Sequence, residues 1–375
     1  MTDVNETQSR KAFRELLASL AEVDERYLSS DFGVTSEQDD TDGHRFLIHL
    51  LETALHREFE GDPEHPGFTK WVTPRRKVLG DNPDAIYFDA PVDPRYTYRV
   101  RGNIGGAVYT SITIDAGTAD GGYATRTAGV INDTNFDVAS DGSWEVTLGG
   151  PPQDRNWMEL PDDAGHLTTR HYFELAEPAG ADPTRVVPLT IERIGDDGPP
   201  SAPTDASVAA GILRVNNFVR GNTLERPPRS EQKLPSFVSI VPNVFPKPVV
   251  PGDLGLAAFD AAYCSTSYVL APDEALVVTM RWPECRFGNV TLWTRFLQTY
   301  DYAHRHCGRN RANTTLEPDG SFRIVIAHED PGVPNWLDTE GRPSGSVFWR
   351  FFLPEGDIET PQAEVVKLAD VRASA

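Results

Sequence analysis

The chain repeats itself. Asp141-Gly142-Ser143-Trp144 is answered by Asp319-Gly320-Ser321-Phe322, Asn156-Trp157 by Asn335-Trp336, and Gly165 with Arg170 by Gly345 with Arg350. Aromatic pairs, Tyr172-Phe173 and Phe351-Phe352, follow the two arginines. The offsets are 178, 179, 180 and 180 residues, and Arg101 and Arg281 upstream also stand 180 apart. Matches that keep their order at nearly constant spacing predict two halves built on one fold. That fold is β. Tyr96, Tyr98 and Val100 alternate with polar neighbours, as do Val108, Thr110, Ile112 and Ile114, and a period of two is the strand signature. Trp144–Leu148, Leu167–Phe173 and Val186–Ile194 read as further strands, and Tyr263–Leu270 with Ala275–Trp282 as a hairpin turning at Ala271-Pro272-Asp273-Glu274. The Asp-Gly-Ser triplets are turn chemistry. Each Asn-Trp is expected at a loop between sheets, its indole buried and its amide bonded to backbone.

Helical spacing marks three segments. Phe13, Leu16, Leu17, Leu20 and Val23 predict a first helix, and Phe46, Leu47, Leu50, Leu51, Ala54 and Leu55 a second, beginning after Asp39-Asp40-Thr41-Asp42. His49 and His56 share a face of the second and form a weak ligand pair. Gly195 to Pro203 is turn chemistry throughout and reads as a linker. A third helix over 206–222, capped by Thr204 or Asp205, follows it, and the five prolines between Leu234 and Gly252 require an extended connector.

Composition narrows function more than it defines it. With 35 basic and 56 acidic side chains the formal charge is −21, which repels nucleic acid and anionic membranes. Cys264, Cys285 and Cys307 are odd in number and lack C-x-x-C spacing, so neither a disulfide framework nor a structural zinc is expected. Met1–Glu6 lacks the start of a signal peptide and no apolar run reaches 18 residues, so the expectation is a cytoplasmic protein. No G-x-S-x-G, P-loop, Rossmann or H-E-x-x-H motif is present.

Glu329-Asp330-Pro331-Gly332-Val333-Pro334-Asn335-Trp336-Leu337-Asp338-Thr339, followed by Gly345 and Arg350, resembles the signature of the bacterial domain-of-unknown-function family 1214. Leu292-Trp293, Asp301-Tyr302 and Asp319-Gly320-Ser321 continue the resemblance, which covers residues 230 to 355. Family 1254, often paired with it, has no clear counterpart in the first half. An actinobacterial-type layout that includes Asp81-Asn82-Pro83-Asp84 and Arg101-Gly102-Asn103 extends the likeness along the chain. The resemblance implies two duplicated jelly-roll-like β-sandwich domains and no settled activity; its association is with bacterial small-molecule catabolism. The expected layout is mainly β: a helical segment over 1–70, a β-sandwich over 71–195, linker, helix and Pro-rich connector over 196–252, and a second β-sandwich over 253–375.

The two copies differ in one loop. Copy two has Asp301-Tyr302-Ala303-His304-Arg305-His306-Cys307 where copy one has Gly121-Gly122-Tyr123-Ala124-Thr125-Arg126. Titratable groups added to one copy of a duplicated scaffold are the place to look for a site. Asp301 is the candidate general base, Tyr302 the acid or oxyanion donor, His304 the proton shuttle and Arg305 their neighbour. Trp293, Trp336, Asn335 and Arg350 are the candidate substrate contacts. His304 and His306 are weak metal candidates that lack the carboxylate of a cupin set, and no cofactor is expected. Arg170 and Arg350 sit in aromatic strands and so require partners; being shared, they read as scaffold, with Asp338 or Asp330 the expected partner of Arg350. These readings predict a cofactor-independent lyase, hydratase or hydrolase acting on a hydroxylated, moderately hydrophobic small molecule. The alternatives are a non-catalytic carbohydrate- or lipid-binding protein and a metal-dependent cupin-like enzyme; a homodimer is the one expected protein partner.

Overall fold

The computed structural model describes residues 7–195, 198–251 and 258–373. The expectation at Met1–Glu6, two linker residues (Asp196 and Asp197), Gly252 at the end of the Pro-rich connector and the expected start of the second sandwich at 253 lie outside these. The first half is built from β1 (Thr69–Lys70), β2 (Ala85–Pro91), β3 (Tyr98–Asn103), β4 (Tyr109–Ala116), β5 (Arg126–Asn132), β6 (Ser143–Leu148), β7 (Trp157–Met158), β8 (Ala164–Tyr172) and β9 (Leu189–Arg193). The second is built from β10 (Ala261–Val269), β11 (Glu274–Met280), β12 (Phe287–Trp293), β13 (Gly308–Asn310), β14 (Phe322–Ala327), β15 (Trp336–Asp338), β16 (Ser344–Phe352) and β17 (Gln362–Lys367).

Topology carries the duplication further than the motifs do. One sheet of the first half runs β1-β2-β8-β4-β5 and its counterpart runs β10-β16-β12-β13; the other pair runs β7-β6-β3-β9 and β15-β14-β11-β17. Apart from β1, every strand has an equivalent in the same place. The parallel pairings of β6 with β7 and of β14 with β15 recur as well. Both asparagines before the paired tryptophans, Asn156 and Asn335, adopt left-handed backbone (φ 54° and 59°), which asparagine tolerates better than most residues. The Asn335 amide accepts from Thr315 N at 2.8 Å and donates to Thr315 O at 2.8 Å. The indoles are only half-buried, and they donate to Gly149 O and Ala327 O.

The expected hairpin of Tyr263–Leu270 with Ala275–Trp282 does not form. These segments become β10 and β11, which join different sheets: β10 pairs with β16, β11 with β14 and β17. Cys264, Tyr268 and Leu270 then meet Leu276, Val278 and Met280 across one core. A hairpin would have put both sets on one face of a single sheet, with nothing opposite to bury them.

Helix α1 (Gln8–Glu22), α2 (Glu37–Ala54) and α3 (Asp205–Asn222) cover the join between halves, and a short α4 (Leu368–Ala373) ends the described chain. Helix α2 begins earlier than expected, because Ser36 accepts from Asp39 N and caps it. Thr204 and Ser207 form a capping box on α3, which leaves Asp205 free to accept from Gln8 N and Ser9 N and so cap α1. Of the apolar residues expected inside α1, Leu16 and Val23 are buried, while Phe13 and Leu17 are half-exposed.

Each half has its own sandwich core, and a third core joins them. In β16, Val347, Trp349 and Phe351 enter the sandwich, and Phe348 and Phe352 face the seam, where Tyr109, Tyr172, Phe287 and the helices pack. The inner strands are therefore buried on both faces: every residue of β4 and β8 is buried. Arg350 faces this seam rather than its own core. Its guanidinium lies over Trp293 and Phe348 (5.1 and 4.8 Å) and donates to Gly80 O at 2.6 Å. The expected carboxylate partner is not there: Asp338 pairs with Arg305 at 2.7 Å, and Asp330 Oδ1 accepts from Gly332 N. The Asp81–Asp84 motif ties the halves together, with Asp81 accepting from Thr299 and Asp84 from Asn289 and Asn310.

The shared glycine is a matter of clearance. A Cβ at Gly345 would stand 2.1 Å from Tyr300 Oη and 2.9 Å from Trp293 O, and one at Gly165 2.4 Å from Ala119 N. Gly345→Ala is expected to cost about 1–3 kcal/mol by overpacking, read as a lower urea midpoint at unchanged m-value.

Candidate functional site

The equivalence of the halves identifies where they differ chemically. Asp89 pairs with Thr168 as Ser265 pairs with Phe348, and Asp115 pairs with His166 as Trp293 pairs with Ser346. Copy one thus places Asp89, Asp115, His166 and Thr168 where copy two has Ser265, Trp293, Ser346 and Phe348. Four polar or ionisable groups share one sheet face in the first half; serine and aromatic residues hold it in the second.

Two more charges reach this face from α2. The turn that continues it, Leu55–Phe59, is of π type, a local irregularity often found at functional sites. The turn directs the consecutive residues Arg57 and Glu58 inward, and both are buried. Arg214 of α3 holds it there by donating to Glu58 O and Gly61 O, each at 3.0 Å. Arg57 Nε lies 2.9 Å from Asp89 Oδ1, and its guanidinium stacks on Trp71 and Phe218. His166 Nδ1 donates to Asp89 Oδ1 at 2.7 Å, which fixes the ring and turns Nε2 toward Glu58 Oε2, 3.3 Å away. The Thr168 hydroxyl bridges Asp115 Oδ2 at 2.9 Å and Asp89 Oδ2 at 3.2 Å.

Electrostatics separates the members of this cluster. Burial alone would raise the Asp89 carboxyl, but Arg57 and His166 outweigh it and hold Asp89 well below the usual carboxylate range. Burial and Arg57 work against a charged His166, yet Asp89 and Glu58 prevail and lift it to about 9. Asp115 moves the other way, raised chiefly by burial although Arg170 and Arg57 oppose the shift. At neutral pH, His166 is therefore a cation held between two carboxylates.

Glu58 and His166 line a cleft of about 450 Å³ whose walls mix Pro63, Pro91, Val92 and Pro94 with the charged Asp93, Arg95, Asp162, Asp163 and Arg214. Glu58 is 1% exposed, and among the described residues neither carboxylate oxygen receives a hydrogen bond; Arg57 and His166 approach only at 3.5 and 3.3 Å. Both oxygens are closed to solvent and paired only at ion-pair distance, so a ligand hydroxyl or ammonium that parts the cleft walls would supply the donors they lack.

The candidates read from the sequence are dispersed. Asp301 and His304 pair with each other at 2.9 Å at the surface, where His304 is 76% exposed. Arg305 pairs with Asp338 beside them. Tyr302 turns inward and lays its ring against the buried Lys77 ammonium, 4.4 Å away. Trp293 and Arg350 lie in the seam, Trp293 donating to Asp81 O. Asn335 is occupied by backbone. Trp336 lines a separate groove with His306, and no three His, Cys, Asp or Glu among the described residues are grouped to hold a metal. On α2, His49 is buried and takes donors from Lys77 N and Gln298, whereas His56 binds its own helix. All three cysteines are free.

The fold and the cleft define a class: a duplicated β-sandwich protein whose first half carries a buried cluster of charged side chains. Residues 271–356 match the family described as protein of unknown function (DUF1214). An uncharacterized protein from Burkholderia cenocepacia is 27% identical, with 96% of this chain and 98% of that one superposed at a TM-score of 0.81. A protein from Vibrio parahaemolyticus, 13% identical over 86% of this chain and 98% of its own, shares the fold at a TM-score of 0.50. No curated protein matches the chain. Among the described residues no helix is long and apolar enough to cross a membrane.

Proposed function

We propose that the first-half cleft binds a hydroxylated, moderately hydrophobic small molecule and acts on it by acid–base chemistry. The observation that carries this reading is the Glu58 carboxylate, buried beside the cleft with no hydrogen-bond donor on either oxygen among the described residues. Beside it stands an imidazolium whose Nδ1 is committed to Asp89 and whose Nε2 lies 3.3 Å from Glu58 Oε2. Glu58 is suited to accept a proton and His166 to give one. The reaction these roles support is elimination of water. A C–H proton passes to Glu58, the electrons of that bond form the new double bond, and the C–O bond breaks toward oxygen. Nε2 protonates the departing oxygen, and water leaves. Prolines and charged side chains share the walls, which suits a small body that is apolar on one side and polar on the other.

A thermal-shift screen of vicinal diols, hydroxy acids and cyclic alcohols, followed by mass spectrometry for loss of water, tests the reading. Glu58→Gln is expected to lower turnover by about 10²–10⁴-fold. The kcat/KM of the native protein should fall above about pH 9, as His166 loses the proton it donates. Hits that bind and react equally well in Glu58→Gln would remove the cleft from consideration.

A further inference from the structure

The second half has an opening of its own, a groove of about 290 Å³ that includes His306, Arg309, Val333, Pro334 and Trp336. Arg309, on β13, is half-buried, and no carboxylate among the described residues stands within ion-pair distance of it. Its bonds are two long ones to carbonyls, Gly308 O and Trp336 O, both at 3.3 Å, and a 3.5 Å contact with His306 Nδ1. Its Nε is buried and has no hydrogen-bond partner among the described residues. Nearly every other arginine withdrawn from water in this protein has a carboxylate or rings against it: Arg57 has Asp89, Arg342 has Asp42, Arg311 has Glu174 and Arg350 has its two aromatic faces. Burial lowers the Arg309 pKa, and the more distant Glu177 and Asp84 offset the shift only in part. Beside it Trp336 is half-buried, its indole N–H committed to Ala327 O, and His306 meets the ring edge-on.

We propose that this groove is a carboxylate site: the fork of Arg309 takes the carboxylate with His306 beside it, and Trp336 with Val333 and Pro334 receives a small planar apolar body. The guanidinium is suited to bidentate pairing with a carboxylate, and the partner would offset the cost of its burial. Asp330 stands exposed at the rim, with Oδ1 accepting from Gly332 N. A second negative charge there favours a monoanion over a phosphate dianion. The site is separate from the Glu58 cleft and does not depend on chemistry in it.

Titration calorimetry with benzoate, and with benzyl alcohol as the uncharged counterpart, tests the assignment on the full chain. Benzoate should bind saturably, benzyl alcohol at least about tenfold more weakly, and Arg309→Gln should lose about tenfold or more of the benzoate affinity. Glu58→Gln should bind benzoate as the native chain does. Should Arg309→Gln fail to fold, His306→Gln, an exposed position, is expected to weaken benzoate by about threefold. Absence of benzoate binding, equal binding of benzyl alcohol, or full affinity in both Arg309→Gln and His306→Gln would each overturn the proposal. Inorganic phosphate binding more tightly than benzoate would overturn the carboxylate assignment.

Discussion

Replacing Arg57 by methionine is expected to destabilise the fold by about 3–5 kcal/mol, the usual cost of removing one partner from a buried ion network. Methionine keeps much of the volume and the packing against Trp71 and Phe218. What it removes is the cation 2.9 Å from Asp89 and 3.5 Å from Glu58, leaving His166 alone to balance two buried carboxylates. Urea unfolding at pH 7 measures the loss. Asp89→Asn in the Arg57→Met background should recover part of it, because the charge that lost its partner is gone. A loss below about 1 kcal/mol would mean that water reaches the cluster and screens it.

The second large effect is a dependence of stability on pH centred on His166. Its folded pKa, about 9, lies above the 6.5 of a free imidazole. The folded state therefore binds the proton more tightly, so the contribution is complete below pH 6.5 and is lost as pH rises through 9. The difference corresponds to about 3 kcal/mol. Asp89 acts in the opposite direction at the acid end: its depressed pKa adds stability that is lost as pH falls below the carboxylate range. Unfolding free energies at pH 6, 7.5 and 9.5 should decline in the native chain. In His166→Asn, which lacks the titrating ring, that alkaline decline should flatten. An equal decline in both chains would assign the proton to another group.

The elements were legible where a period or a cap announced them. Helix α3 follows from Thr204 and its apolar spacing, and β3, β4, β6 and β8 from alternation. Pairing was less legible. Tyr263–Leu270 and Ala275–Trp282 look like a hairpin because short turn chemistry separates two alternating runs, and alternation does not say which layer a strand joins. Of the candidate site little was visible. The chemical difference between the copies lies on the sheet face rather than in the 301–307 loop, where length and composition differ most. Position by position along β8, His166 after Gly165 stands where Ser346 follows Gly345, and that one contrast marks the cluster. Asp89 and Glu58 carry no such mark, since an acid in a strand and an acid at a helix end are ordinary surface residues in sequence.

By itself the sequence determined the duplication, the β character of both halves and the places of the helices, because local spacing and a repeated order of motifs record these directly. The tertiary structure decided which faces of the inner strands meet in the seam, that Arg350 is held by rings and a carbonyl, and that Arg57, Glu58, Asp89 and His166 converge on one cleft. Burial and charge pairing depend on residues far apart in the chain. Whether a titratable side chain lies in water, in a structural pair or at the floor of a cavity is settled only when the elements pack.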